Sequence, residues 1–267
     1  MIKALYASAS GMKAQQRHVD VIANNIANVN TGGFKKSRVD FQDLLYETIR
    51  RPGAGGAAAN ALGPPSGLQV GSGTDVISTT KNFSQGSVEG TGNALDIAIE
   101  GSGFFQVQLP DGTIGYTRAG SFQMDSTGRL VTAQGYPLEP QVTLQQFSVE
   151  GSDVAIEADG RVMLRQLGQE NFQQVTQIQI STFLNPAGLD SIGSNVFKAT
   201  DASGAPQPQN PGTQGAGNLR QFALERSNVD IVQELIGLIT AQRAYELNSR
   251  AIRSADGMLS QLQTIIR

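Results

Sequence analysis

Near both ends of the chain apolar residues recur at every seventh position, a spacing that a helix gathers onto one line. Leu5, Met12, Val19 and Ile26 form the N-terminal set, with Ile2, Ala9 and Ala23 filling steps of three and four and Gln16 interrupting the partner column. Leu238, Tyr245, Ile252, Leu259 and Ile266 form the C-terminal set. Three places further on stand Ala241, Asn248, Ala255 and Leu262, so small residues fill much of that second column and a neighbouring helix can approach closely. Asp230 with Gln233 reads as a capping box opening the second helix, with Ser227 or Asn228 as nearby alternatives. Residues 28–33 hold Asn and Gly, which take the left-handed conformations that close the first. At 1.5 Å per residue the C-terminal helix would run roughly 50 Å.

Between the ends the period changes to two. Residues 95–99 and 105–109 alternate, and a Pro-Asp-Gly-Thr turn at 110–113 leads into 114–118. Residues 121–124 and 129–132 flank another turn, residues 154–157 and 161–164 flank Asp159-Gly160, and residues 175–183 alternate again. Glycine at 31 residues with only 16% charged residues suits turn-rich β structure. Residues 51–65 and 202–217 follow neither period and read as loops or extended arms.

The fold class expected is α+β: long N- and C-terminal helices pairing as a coiled-coil-like domain, a central antiparallel β domain and an extended arm. The segments are residues 1–30, the N-terminal helix; 31–67, the connecting arm; 68–226, the β-rich domain; and 227–267, the C-terminal helix. Two narrow stripes make a poor core. Burying a large aliphatic side chain gains about 1.5–3 kcal/mol, against about 1–2 kcal/mol of backbone entropy per ordered residue. The ends are therefore expected to be marginal alone and to fold against neighbouring copies, an ordinary monomeric helical hairpin being the alternative. A head-to-tail contact of this kind is heterologous and builds rings or open filaments.

Chemistry is hard to place on this chain. A net charge of −3 gives no basic face for nucleic acid. Without cysteine there is neither a disulfide nor a thiolate metal site. No apolar run approaches the roughly 18 residues of a membrane span. Ala7-Ser8-Ala9 imitates a signal-peptidase site but lacks the apolar core before it, so no cleaved signal peptide is expected and any export would use another route. Gly101 and Gly103 begin a dinucleotide-like pattern that Gln106 breaks. His18 is the only histidine and sits on a helix, and Asp111, Asp125 and Asp159 stand beside turn glycines without a calcium-ligand ladder. The absence of tryptophan leaves a sugar cleft poorly furnished. No catalytic, cofactor-binding or metal residue is assigned, and the protein is expected not to be an enzyme.

Three ordered motifs carry a resemblance. Residues 23–35, with Asn24, Asn25, Asn28, Thr31, Gly33 and Phe34, closely resemble the N-terminal signature of the flagellar rod and hook family, and residues 5–12 fit its opening. Residues 227–235 and 242–249 look like its C-terminal signature, and residues 101–105 with 116–122 resemble its β-domain core. Residues 46–54 and 65–71, with the length, resemble a rod member placed between the proximal rod proteins and the hook protein. The resemblance implies a helical tube of many copies, terminal helices inside and β domain outside. Its partners would be the proximal rod proteins, the hook protein, the outer bushing rings and the flagellar type III export apparatus. The implied location is the basal body in the periplasm, and the implied task is torque transmission together with a channel for later subunits. Leu5, Met12, Val19, Ile26, Leu238, Tyr245, Ile252, Leu259, Leu262 and Ile266 would form the assembly interface. Rival readings are a proximal rod or hook subunit, or a secreted β-rich adhesin or enzyme.

Overall fold

The computed structural model describes residues 2–51, 66–144, 153–165 and 171–265. Contacts gather these into two units. The first comprises residues up to 26, 37–80 and from 230 onward; the second comprises 27–36 and 81–229.

The first unit contains α1 (Ile2–Ala27), β1 (Ser37–Asp43), β2 (Tyr46–Arg50), β3 (Leu68–Gly71), β4 (Thr74–Lys81) and α2 (Ile231–Ile265). The helices run antiparallel in constant register. Gly11 lies against Asn248, Gly237 against Ile22, and Asn25 donates to Glu234 at 3.1 Å. A Cβ on Gly11 would come within 3.0 Å of the Asn248 amide, so the missing side chain sets how closely the helices approach. On this register Ile2 is level with Gly257, and residues 258–265 of α2 run past the start of α1. Asp230 Oδ1 accepts from the Val232 and Gln233 amides at 2.9 and 3.3 Å and is the N-cap of α2, while Ser227 bonds the Val229 amide just upstream.

β1 pairs with β4, and β2 pairs antiparallel with β3. The expected arm is therefore a ladder on both flanks of residues 52–65, which lie outside the described residues. The ladder β1–β4 lies along α1. The Thr74 amide donates to Ser10 Oγ, Arg17 pairs with Asp75 at 3.5 Å, and the Phe41 ring meets the His18 ring edge-on at 5.5 Å.

The second unit contains β5 (Val88–Gly90), β6 (Ile97–Glu100), β7 (Phe104–Gln108), β8 (Ile114–Thr117), β9 (Phe122–Met124), β10 (Leu130–Thr132), β11 (Leu138–Glu139), β12 (Asp153–Ile156), β13 (Arg161–Arg165) and β14 (Gln173–Gln177). It continues with β15 (Ile180–Thr182), β16 (Asp190–Gly193), β17 (Val196–Lys198), β18 (Gln207–Gln209), β19 (Asn218–Gln221) and β20 (Ala223–Glu225). A mixed-order antiparallel sheet runs β16-β17-β8-β7-β15-β18 with β11 also on β7, and a second sheet is β12-β13-β14. Alternation along β7 sends Phe105 and Val107 into the main core, with Ile97, Ile99, Leu130, Leu138 and Ile180, while Phe104 joins Tyr116 and Phe197 in a smaller aromatic cluster.

Two local readings change. Residues 175–183 are two strands in different sheets, β14 on β13 and β15 on β7 and β18, while Ile178 and Ile180 both stay in the core. Residues 202–217 are packed turns around one short strand and not an extended arm: Ser203 is fully buried and β18 pairs with β15. Pro208 fits there because β18 is an edge strand, where a missing N–H breaks no ladder on its outer side.

Candidate assembly surface and connector

The predicted assembly residues lie on the paired helices. Leu5, Met12, Val19 and Ile26 on α1 and Leu238, Ile252 and Leu259 on α2 are half-buried, and Tyr245 is 43% exposed. Ile266, and the side chain of Leu262, lie outside the described residues. The most buried column sits beside the predicted one: Gly11, Ala14, Ile22 and Asn25 on α1, and Ala241 and Ala255 on α2. Small side chains occupy the closest line of approach, and the larger ones flank it.

A second apolar surface lies on the far side of α2. Val232 is 65% exposed, and Leu235, Ile236, Ile239 and Leu247 are also exposed. At 100° per residue they share one side, about 180° from Ala241. Five large aliphatic side chains on one exposed helix face exceed the scattered apolar exposure of ordinary surfaces. The i, i+3, i+4, i+7 spacing of Val232, Leu235, Ile236 and Ile239 was the sequence signal for it.

His18 is half-buried between α1 and β1. Burial lowers its pKa, and the nearby Glu234 carboxylate opposes this more weakly. The fold therefore favours neutral imidazole. The stabilisation is complete above the ordinary value near 6.5 and is lost as pH falls below it. Melting of the helices, followed by circular dichroism, is expected at a lower temperature at pH 5 than at pH 7, with a smaller difference in His18→Asn.

The motif residues build the connector between α1 and β1. Asn25, 1% exposed, bonds the Ser37 backbone twice, accepting from its amide at 2.9 Å and donating to its carbonyl at 2.9 Å. The Thr31 hydroxyl donates to Asn28 Oδ1 at 3.2 Å, and its amide to Asn28 O at 3.1 Å, which tightens the turn. Asn24 is exposed on α1. Gly33 has φ +69°, and its amide donates to Glu225 O at 2.8 Å. A Cβ there would stand 2.6 Å from the Ala119 nitrogen, so glycine alone fits. Phe34 is buried beneath the Lys81 ammonium, 5.2 Å from its ring centroid.

Sequence reading gave no role to the group that fixes this connector. Lys35 is fully buried and donates to Glu225 Oε1 and Ser84 O, both at 2.7 Å. Glu225, 2% exposed, also accepts from the Gly86 amide at 2.9 Å and pairs with Arg118 at 3.3 Å. Burial pushes the Lys35 pKa down, and Glu225 holds it up against that. Asn228 adds a second clasp, accepting from the Lys36 amide and donating to Asn82 O, both at 2.8 Å. Glu225 and Asn228 lie nearly two hundred positions from Lys35, a distance at which no local pattern signals contact.

None of this is a reactive arrangement. Asp111, Asp125 and Asp159 accept hydrogen bonds within their own turns, as at Thr113, Thr127 and Arg161. Among the described residues no three acidic or histidine side chains gather as a metal site, and no helix is long and apolar enough to cross a membrane. A depression of about 190 Å³ is lined by Thr31, Thr117, Thr132, Gln134 and Asn195 among others, with no ionisable side chain in its wall.

Polar groups that clasp segments together and an exposed apolar helix face are features of a structural subunit. Three family profiles match in chain order: "Flagella basal body rod protein" over residues 5–35, "Flagellar hook protein FlgE/F/G D1 domain" over 98–164, and "Flagellar basal body rod FlgEFG protein C-terminal" over 220–265. The flagellar basal-body rod protein FlgG of Borreliella burgdorferi is 48% identical over 97% of each chain. That of Caulobacter vibrioides is 46% identical over 98% of this chain and all of its own, and that of Bacillus subtilis 42% over the whole of both. The flagellar hook protein FlgE of Helicobacter mustelae is 46% identical over 52% of this chain but only 30% of its own length. The chain belongs to the FlgG family of flagellar basal-body rod proteins.

Proposed function

We infer that the chain is a structural subunit of the flagellar distal rod, a hollow shaft that transmits torque from motor to hook and lets later subunits pass. The observation that carries the assembly is the apolar side of α2 at Val232, Leu235, Ile236 and Ile239, which is left exposed while the opposite side pairs with α1. In this reading the paired helices form the inner wall of the tube and the β-rich segment, residues 68–226, faces outward. The segment around β2 and β3 touches adjacent copies and stiffens the shaft. Proximal rod proteins, the hook protein and the outer bushing rings are its neighbours. It reaches the periplasm through the flagellar type III apparatus without cleavage. A hook subunit is disfavoured because the hook protein relative matches over less than a third of its own length.

Leu259→Asp and Ile236→Asp test the assembly. Negative-stain microscopy of wild-type protein at rising concentration is expected to show rods or protofilaments. Each variant is expected to stay monomeric, with the strand signal in circular dichroism unchanged. Persistent globular wild-type monomers would overturn the function, and normal rods from both variants would overturn the role of the helix surface.

A further inference from the structure

The smaller aromatic cluster of the β unit surrounds a surface pocket of about 90 Å³ whose wall includes Phe83, Ser102, Phe104, Arg118, Thr182 and Phe183. Arg118 is 4% exposed and lies 5.4 Å over the Phe104 ring. Its terminal nitrogens are engaged, one with Glu225 at 3.3 Å and the other with Gly101 O at 2.7 Å, but its Nε–H finds no acceptor. A buried donor left without a partner is costly, and more so on a charged group.

The charge count points the same way. Lys35 and Arg118 share the single carboxylate of Glu225, so the trio carries one positive charge in excess while all three side chains are buried. The pocket thus borders a buried guanidinium whose Nε–H has no acceptor, a trio with one positive charge in excess, and aromatic rings. One free N–H and one spare charge match a monoanion with acceptor oxygens, and the volume equals about three waters, enough for one carboxylate on a short stem. Ser102 and Thr182 put hydroxyls in the same wall.

We propose that this pocket binds one carboxylate group, carried either by an acidic side chain of a neighbouring copy or by a free small carboxylate. Arginine holds carboxylates in directed, charge-assisted hydrogen bonds, so the Nε–H resonance of Arg118, beside the pocket and without an acceptor, is the reporter of occupancy.

The test is acetate titration of dilute, unassembled full-length protein, with arginine side chains labelled with nitrogen-15. A saturable shift of the Arg118 Nε–H signal, absent with sodium chloride at equal ionic strength, is expected. No saturable shift, or the same shift with chloride, would overturn the proposal. Thr182→Glu sets a carboxylate in the wall and is expected to weaken the acetate response at least tenfold and to melt above Thr182→Gln. Equal acetate response in the Glu and Gln variants would count against the pocket. Should Thr182→Glu not fold, the wild-type titration still decides. The source is read from solid-state spectra of assembled rods, an arm that rests on the rod reading. An Arg118 signal already at its acetate-bound position assigns the carboxylate to a neighbouring copy, and one that moves only on adding acetate assigns it to a free ligand.

Discussion

Replacing Glu225 by alanine is expected to cost about 3–5 kcal/mol of unfolding free energy, as removing one partner of a buried ion pair does. Two buried cations, Lys35 and Arg118, would lose their common carboxylate. Lys35, already pushed down by burial, would lose its strongest support for the charged form. The carboxylate also receives the Gly86 amide, so a backbone donor is orphaned as well. Denaturant unfolding of the full chain measures the cost. Arg220→Ala is the control, since its pair with Glu100 is exposed on both sides and worth under about 1 kcal/mol. If the two variants cost the same, the trio does not hold the connector in place.

Gly33→Ala is the second large effect. At φ +69° any other residue meets a left-handed penalty of about 1–2 kcal/mol. The added Cβ would also press on the backbone of Arg118 and Ala119 at 2.7 and 2.6 Å, a crowding worth about 1–3 kcal/mol. Gly112→Ala separates the two contributions, because Gly112 has φ +78° with nothing within 4 Å of its Cβ position. In chemical denaturation Gly112→Ala is expected to lose only the conformational part and Gly33→Ala clearly more. Equal losses would mean the connector moves aside freely.

The helices were legible because spacing at sevens survives whatever packs on it, and Asp230 announces the start of α2 in its own side chain. Which side faces inward was less legible. On α1, Gly11 and Ala14 carry little hydrophobic weight in a periodicity, whereas on α2 the small column at Ala241 and Ala255 was readable as a line of close approach. The exposed run at Val232, Leu235, Ile236 and Ile239 has the pattern of an inward face, and only the position of α1 shows that it points away. Strands β1 and β4 were missed because Ser37, Arg38, Asp40, Gln42 and Asp43, and Thr74, Asp75, Thr79 and Thr80, are polar. Val39 on β1 is their one buried side chain, and they are ordered by lying along α1. Residues 23–35 were recognisable as a motif, but what Asn25, Gly33 and Lys35 do depends on Glu234, Ala119 and Glu225, and no local rule supplies those partners.

The clasp between Lys35 and Glu225 also bears on how the helices find each other. Asn25 and Glu234 meet although 209 positions separate them, and in an unstructured chain that closure is entropically expensive. Once the sheets have formed and Lys35 holds Glu225, the open stretch between the helices shrinks to roughly twenty residues, which lowers the closure penalty by about 2 kcal/mol. Closure entropy therefore favours an order with sheets first and the helical zipper last. A chain threaded end-first through a narrow conduit would thus keep its first helix unpaired until its final residues emerged.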